Sequence, residues 1–154
     1  MLRPARPEDA AAIAEVFLGS RRELVPFAPL AHTDDETRAW IEDVLVPAGD
    51  VTVWDEGGRV LAFIAVSTGA DGGWIEHLYV RPEAVGQGVG SLLLAHAHTT
   101  LPRPIRLDTF QANTRARRFY ERFGYTAEAF SDGSGNEERC PDVRYVLRAT
   151  TDSD

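Results

Sequence analysis

The sequence predicts an α/β (α+β) domain in which a mixed, mostly antiparallel sheet of seven strands carries four helices on its faces. Three observations lead there. Between residues 50 and 80, the strand-like runs "DVTVWDE", "VLAFIAVST" and "WIEHLYV" are separated by the glycine turns "EGGR" and "GADGG", the pattern of an antiparallel meander. Segments of helical period precede the meander, and after it helices and strands alternate. The 154 residues, 44% of them hydrophobic, suffice for one ordinary domain and not for two.

The elements follow in order. A short strand at "MLRP" leads to a helix at "PEDAAAIAEVFLGSRREL", where Pro7 suits a first turn and Ile13, Val16, Phe17 and Leu24 share a face. Thr33 and Glu36 have capping-box spacing, and Trp40, Ile41, Val44 and Leu45 supply the apolar face of a second helix. After the meander, a helix is expected from about Ser91 to Thr99, a strand at "RPIRLDTF", a helix at "NTRARRFYERFG" stopped by Gly124, and strands at "YTAEAF" and "VRYVLRA". The predicted order is β-α-α-β-β-β-α-β-α-β-β. The strands near 74–80 and 104–109 are joined through a helix, so they should run parallel. Residues 1–149 are expected to form one domain and 150–154 a flexible tail.

Charge and composition narrow the function. A net charge of -8 and a pI near 5.0 argue against nucleic acid and anionic membranes as partners, since both select a basic face. Cys140 is the only cysteine, so no internal disulfide and no thiolate cluster can form, which suits a reducing compartment. The N-terminus lacks the apolar core of a secretion signal and no apolar run approaches about 18 residues, so a cytoplasmic location is expected.

The stretch "RPEAVGQGVGSLLLAHA" sets Gly86, Gly88 and Gly90 at alternate positions at the mouth of a helix. Three readings compete. A dinucleotide loop of Rossmann type would find Asp108 about 20 residues on, but its glycine spacing differs and the unit sits after an antiparallel meander. A loop for another phosphorylated ligand would wrap a pyrophosphate in successive N–H groups and use the helix dipole. A tight turn with no ligand is the third. No Lys-Ser or Lys-Thr pair follows, which excludes the NTPase P-loop.

"IEHLYVRPEAVGQGVGSLLL", followed by "LDTFQANTRARRFYERFGY", resembles motifs A and B of the GNAT superfamily of N-acetyltransferases, and the likeness extends over nearly the whole chain. The resemblance implies the GNAT fold and a glycine loop that holds the pyrophosphate of acetyl-CoA on the N–H groups of Val85, Gly86, Gln87, Gly88, Val89, Gly90 and Ser91. Val85 departs from the family's pattern, which has Arg or Gln there, and one side-chain contact to the cofactor is expected to be lost. By the same resemblance the strand ending at Val80 splays from its neighbour, and pantetheine hydrogen-bonds to backbone at Leu78 and Val80 like an added strand. The apolar pattern shifts phase between Ile75 and Leu78, which fits either a bulge or a fully buried strand.

The implied activity is transfer of acetyl from acetyl-CoA to a primary amine, by direct attack in a ternary complex. Such a reaction needs a proton acceptor for the ammonium, an oxyanion donor and a donor at the departing thiolate. Glu76 reads either as a solvent-facing strand carboxylate or, by resemblance, as the proton acceptor, acting directly or through water. His77 alternates to the other face, as a half-buried sheet residue. The N–H of Val80 is the implied oxyanion donor. Tyr120 reads as core beside Phe119 and Phe123 or, in its motif B position, as the thiolate's proton donor. Asn113 is a helix N-cap by type and an implied pantetheine contact. His96 and His98 are two apart on a helix and make a poor pair, so no metal is expected.

The loops "GSRRELVPFAPLAHTDD" and "SDGSGNEERCPD" would border the amine site, and Asp132, Glu137, Glu138 and Asp142 give the second an acidic cast. The acceptor is a small-molecule amine or a peptide or protein amine. A homodimer is expected from relatives. The alternatives are a non-catalytic acyl-CoA-binding module and a dinucleotide-binding protein.

Overall fold

The computed structural model describes residues 1–148; the expected tail at 150–154 lies outside the described residues. The strands are β1 (Leu2–Pro4), β2 (Val51–Glu56), β3 (Arg59–Gly69), β4 (Gly72–Val80), β5 (Ile105–Phe110), β6 (Thr126–Ser131) and β7 (Asp142–Leu147). The helices are α1 (Ala10–Leu24), α2 (Asp34–Trp40), α3 (Val89–Thr100) and α4 (Thr114–Arg122). The strands form one sheet in the order β1-β2-β3-β4-β5-β7-β6, in which the β4–β5 pair is parallel and every other pair antiparallel. A doubly wound parallel sheet of Rossmann type is therefore excluded.

Local chemistry accounts for the boundaries. Pro7 opens a 3₁₀ turn, Pro7–Asp9, that feeds α1, and Arg3 holds Asp9 through paired bonds of 2.8 and 3.0 Å. Thr33 Oγ1 accepts from the Glu36 N–H at 3.1 Å, and the Glu36 carboxylate accepts from the Thr33 N–H at 2.8 Å, so the capping box forms as expected. The second helix departs from expectation in one respect: past Trp40 it winds into a π-helical segment, Ile41–Leu45.

The sheet is covered on both faces. Ile13, Ala14, Val16 and Phe17 of α1 pack with Ile41, Val53 and Phe63 on one side. Leu93, Leu94 and Ala97 of α3 pack with Tyr120 and with Ile64, Ile75 and Leu107 on the other. Burial of this kind contributes roughly 25 cal/mol for each Å² of apolar surface removed from water.

The start of β4 is pinned closely. Gly72 has φ +123°, and a β-carbon there would lie 2.2 Å from the Pro104 carbonyl oxygen. The Gly73 N–H donates to the carbonyls of Pro102 and Pro104 at 2.9 and 3.0 Å. Only glycine at 72 lets the segment before β5 come this near, and that closeness fixes where β4 and β5 meet.

Candidate active site

β4 and β5 stay in register for two pairs, Gly73 with Ile105 and Trp74 with Arg106. Beyond them β4 remains on β3 as far as Val80, while β5 keeps its partner β7, so a V-shaped gap opens between the parallel strands. The Arg81 N–H donates to the Leu61 carbonyl at 2.8 Å. In an antiparallel ladder this bonding alternates, so Leu78 and Val80 turn their N–H and C=O groups away from β3 and into the gap.

A β-bulge interrupts β4 at Glu76, since Ala65 pairs with His77 and Val66 with Ile75. The extra residue shifts the phase of the strand: Ile75, Leu78 and Val80 all pack toward α3, whereas His77 meets Phe17 and Trp40 on the α1 side. Of the two sequence readings of that phase shift, the bulge is the one observed. Glu76 itself is exposed, and its Oε2 accepts from Ser67 Oγ at 2.5 Å.

A cavity of about 720 Å³ occupies the gap, lined by Leu78 and Val80, by the glycine loop, and by α4. Gly86 and Gly88 have φ of 89° and 82°, and a β-carbon at either would meet nothing within 4 Å. These positions need glycine for the left-handed backbone and not for room. Gly88 caps α3 without a side-chain bond, and among the described residues the N–H groups of Val89, Gly90 and Ser91 donate to no backbone carbonyl. They form a ready anion site at a helix start. The Val85 N–H, by contrast, donates to the Pro82 carbonyl at 3.3 Å, and the Gln87 side chain folds back onto the Glu83 carbonyl at 3.3 Å. Gln87 is absent from the cavity wall, while Val85 lines it with an apolar side chain.

Cations reach this cavity from elsewhere. Arg115, Arg118 and Arg122 of α4 line it, at spacings of three and four that put them along one helix face. A diphosphate fits such a wall: free N–H donors, left-handed glycines and three guanidinium groups. The arginine spacing was readable in "NTRARRFYERFG", although the apolar ring positions drew the reading there toward core.

A second cavity of about 280 Å³ adjoins the first, and Leu78, Tyr79, Asn113 and Tyr120 line both. Tyr120 is 8% exposed, set edge-on to Phe119 and Tyr125, and burial pushes its phenol well above the ordinary tyrosine range. Asn113 caps α4, its Oδ1 accepting from the Ala116 N–H at 3.2 Å. Glu76, His77 and Asp108 stand on the second cavity's strands, and Arg21, Glu138 and Asp142 on its rim elements. Asp108 is held by Arg144 in a two-bonded pair of 2.9 and 3.1 Å. Burial pulls the His77 imidazole below its ordinary value, Glu76 opposes that shift and the Arg21 charge adds to it.

The two loops expected to border the amine touch one another, through His32 and Glu137 outside both cavities and through Arg21 and Glu138 at the smaller one. His32 Nε2 lies 2.5 Å from Glu137, and Arg21 Nη1 lies 3.9 Å from Glu138. His96 and His98 stand outside both cavities, with His98 Nε2 2.8 Å from the Tyr125 hydroxyl. Cys140 is buried against Val25 and Ala28. Arg21 is the residue that sequence reading passed over, because "GSRREL" looked like the end of an ordinary amphipathic helix.

Comparison with known proteins adds four findings. The model of the acetyltransferase (GNAT) family matches residues 18–125. The peptidyl-lysine N-acetyltransferase YiaC of Escherichia coli (strain K12) is 27% identical over 125 residues, covering 81% of this chain and 82% of that protein. Among solved structures, the PaiA N-acetyltransferase of Thermoplasma acidophilum in complex with coenzyme A superposes with a TM-score of 0.77 at 19% identity, over 97% of this chain and 98% of that one. The apo form of YjaB from Escherichia coli gives 0.75 at 17% identity, over 95% of each. Among the described residues no helix is long and apolar enough to cross a membrane.

Proposed function

The chain belongs to the GNAT acetyltransferase family and is an acyl-CoA-dependent N-acyltransferase, and from that premise we propose that it transfers acetyl from acetyl-CoA to a primary amine by direct attack with both substrates bound. The observation that carries the reading is the pair of cavities meeting at Tyr120: the larger ends at the glycine loop, and the smaller holds Glu76. One binds the donor and the other the acceptor, so the two substrates approach from opposite sides of one tyrosine.

Each group then has a task. The N–H groups at the start of α3 and the arginines of α4 hold the diphosphate. Leu78 and Val80 offer strand-like hydrogen bonds to the amides of the pantetheine arm, and Asn113 adds a polar contact near the thioester. The Val80 N–H supports negative charge on the carbonyl oxygen. Glu76 accepts the proton that an alkyl ammonium, with a pKa near 10, must lose before it can attack.

Tyr120 donates at the sulfur. Because burial raises its pKa, the phenol is fully protonated at neutral pH and always available as a donor. The same shift disfavours complete proton transfer to a thiolate, since thiols are more acidic than an ordinary phenol and burial makes this phenol weaker still. Tyr120 therefore stabilises the departing thiolate by a hydrogen bond, the proton taken by Glu76 passes to water, and the thiolate takes up its proton from solvent as CoA leaves.

The test is CoA release from acetyl-CoA against a panel of primary amines, together with the melting temperature in the presence of acetyl-CoA or NAD. Turnover of at least one amine and a rise in melting temperature with acetyl-CoA alone are expected. Tight binding of acetyl-CoA with turnover of no amine would overturn the reading in favour of a non-catalytic binding module.

A further inference from the structure

Arg21 sits in the last turn of α1 with its guanidinium in the wall of the smaller cavity, and the residue is 5% exposed. Its donors are poorly matched. Nη2 donates to the Pro29 carbonyl at 3.2 Å and more weakly to that of Ala28 at 3.5 Å. Nε is buried without a hydrogen-bond partner among the described residues. Nη1 has the Glu138 carboxylate at 3.9 Å, outside hydrogen-bond range. The rings of Phe17 and Phe110 lie 5.9 and 5.5 Å from the guanidinium carbon and shield it from water.

An arginine cannot lose its proton to escape such a setting. Burying a cation is costly unless an anion is in contact with it, and among the described residues the one carboxylate near enough to serve stands back on a loop. We infer that Arg21 is the acceptor-specificity residue of this enzyme: it binds a carboxylate on the substrate, so the acceptor is a small primary amine of amino-acid type. This rests on the smaller cavity being the acceptor site.

The chemistry of the cavity fits a zwitterion. Among the described residues Arg21 is the one cation in its wall, set among the carboxylates of Glu76, Asp108, Glu138 and Asp142. Asp108 is taken by Arg144 in a two-bonded ion pair, whereas among the described residues Glu76, Glu138 and Asp142 have only Ser67, the Arg21 guanidinium at 3.9 Å and Asn136 beside them and keep charge to offer an ammonium. The guanidinium keeps its charge at any pH, and Nη1, the terminal nitrogen without a hydrogen bond to the backbone among the described residues, is the donor it can offer a carboxylate oxygen. A cavity of about 280 Å³ has room for an amino acid.

The experiment compares amino acids with their carboxamides as acceptors for the wild-type protein, reading CoA release. The amide lowers the basicity of an α-amine and so favours attack by the amide, which makes any preference for the acid conservative. The acids are expected to exceed the amides in kcat/KM by about tenfold to a hundredfold, chiefly through KM. Arg21→Gln should collapse that ratio toward one, and Glu138→Gln should widen it by removing a competing anion. Amides used as well as acids, while amines are acetylated, would overturn the inference and leave Arg21 a structural partner of Glu138. Turnover of no amine at all would overturn the acetyltransfer reading and this inference together. The wild-type comparison stands even if an Arg21 variant fails to fold.

Discussion

The two cavities that meet at Tyr120 are made by different means. The larger is built from main chain: left-handed glycines at 86 and 88, open N–H groups at the start of α3, and the free edge of β4. The smaller is built from side chains carried by α1, β4, β5 and the loop before β7, which touch only because the chain has folded. A backbone site tolerates changes of side chain and depends on conformation. A side-chain site has the reverse dependence, and substitutions should separate the two halves accordingly.

The largest effect is expected on the side-chain half. Glu76→Gln should lower kcat about 10² to 10⁴-fold at neutral pH if the carboxylate takes the proton. The deficit should shrink as pH approaches about 10, where the amine deprotonates unaided. A rate equal to wild type across that range would return Glu76 to the role of a surface carboxylate bonded to Ser67. Tyr120→Phe comes next, with a fall in kcat of about 10² to 10³-fold, the scale of losing one donor to a developing anion. Because Tyr120 borders both cavities, KM for acetyl-CoA and for the amine should both hold nearly steady. A loss confined to either KM would place the hydroxyl in one half alone.

Gly88→Ala probes the backbone half. A left-handed conformation costs a non-glycine residue roughly 1–2 kcal/mol, so the loop should relax away from its present path and KM for acetyl-CoA should rise about tenfold. Neither kcat at saturation nor KM for the amine should follow. If the acceptor KM moved equally, the separation between the halves would fail.

This division also explains what could be read from sequence. The order of elements along the chain, the capping box at Thr33 and the parallel β4–β5 pair followed from patterns written locally, namely turn glycines, helical period and a helix between two strands, whereas the splay of that pair was implied only by the family resemblance. The bulge at Glu76 left a trace as a shift of apolar phase, but the trace alone could not separate a bulge from a strand buried on both faces. The π-helical segment at Ile41–Leu45 left none, because its apolar positions also suit an ordinary helix. Val85 shows the limit on the backbone side. Its neighbours' glycines were legible, whereas the commitment of its own N–H to Pro82 depends on how residues 82–84 wind. Arg21 shows the limit on the side-chain side, since nothing in "GSRREL" tells that Phe17, Phe110 and Glu138 will close around it.

The smallest expected effect concerns acid. His77 packs edge-on to Trp40 and Phe17 beside the smaller cavity, whereas no histidine among the described residues lines the larger one. Burial holds the folded-state pKa of His77 below its unfolded value of about 6.5. Below about pH 6.5 the unfolded chain therefore binds a proton that the folded chain refuses, and stability falls as pH drops toward the folded pKa. Asp9, whose pKa is lowered by its bonds to Arg3, acts in a separate window: its contribution is present above an unfolded value of about 3.9 and is lost as pH falls through its folded value. The melting temperature should thus decline in a first, shallow step that begins below about pH 6.5, ahead of the carboxylate step. His77→Phe keeps an aromatic ring against Trp40 and removes the titration, so it should flatten the first step and leave the second. A wild-type melting temperature that stays level through the first window would mean that water reaches His77 freely, and that the side-chain half is less closed than its ring contacts imply.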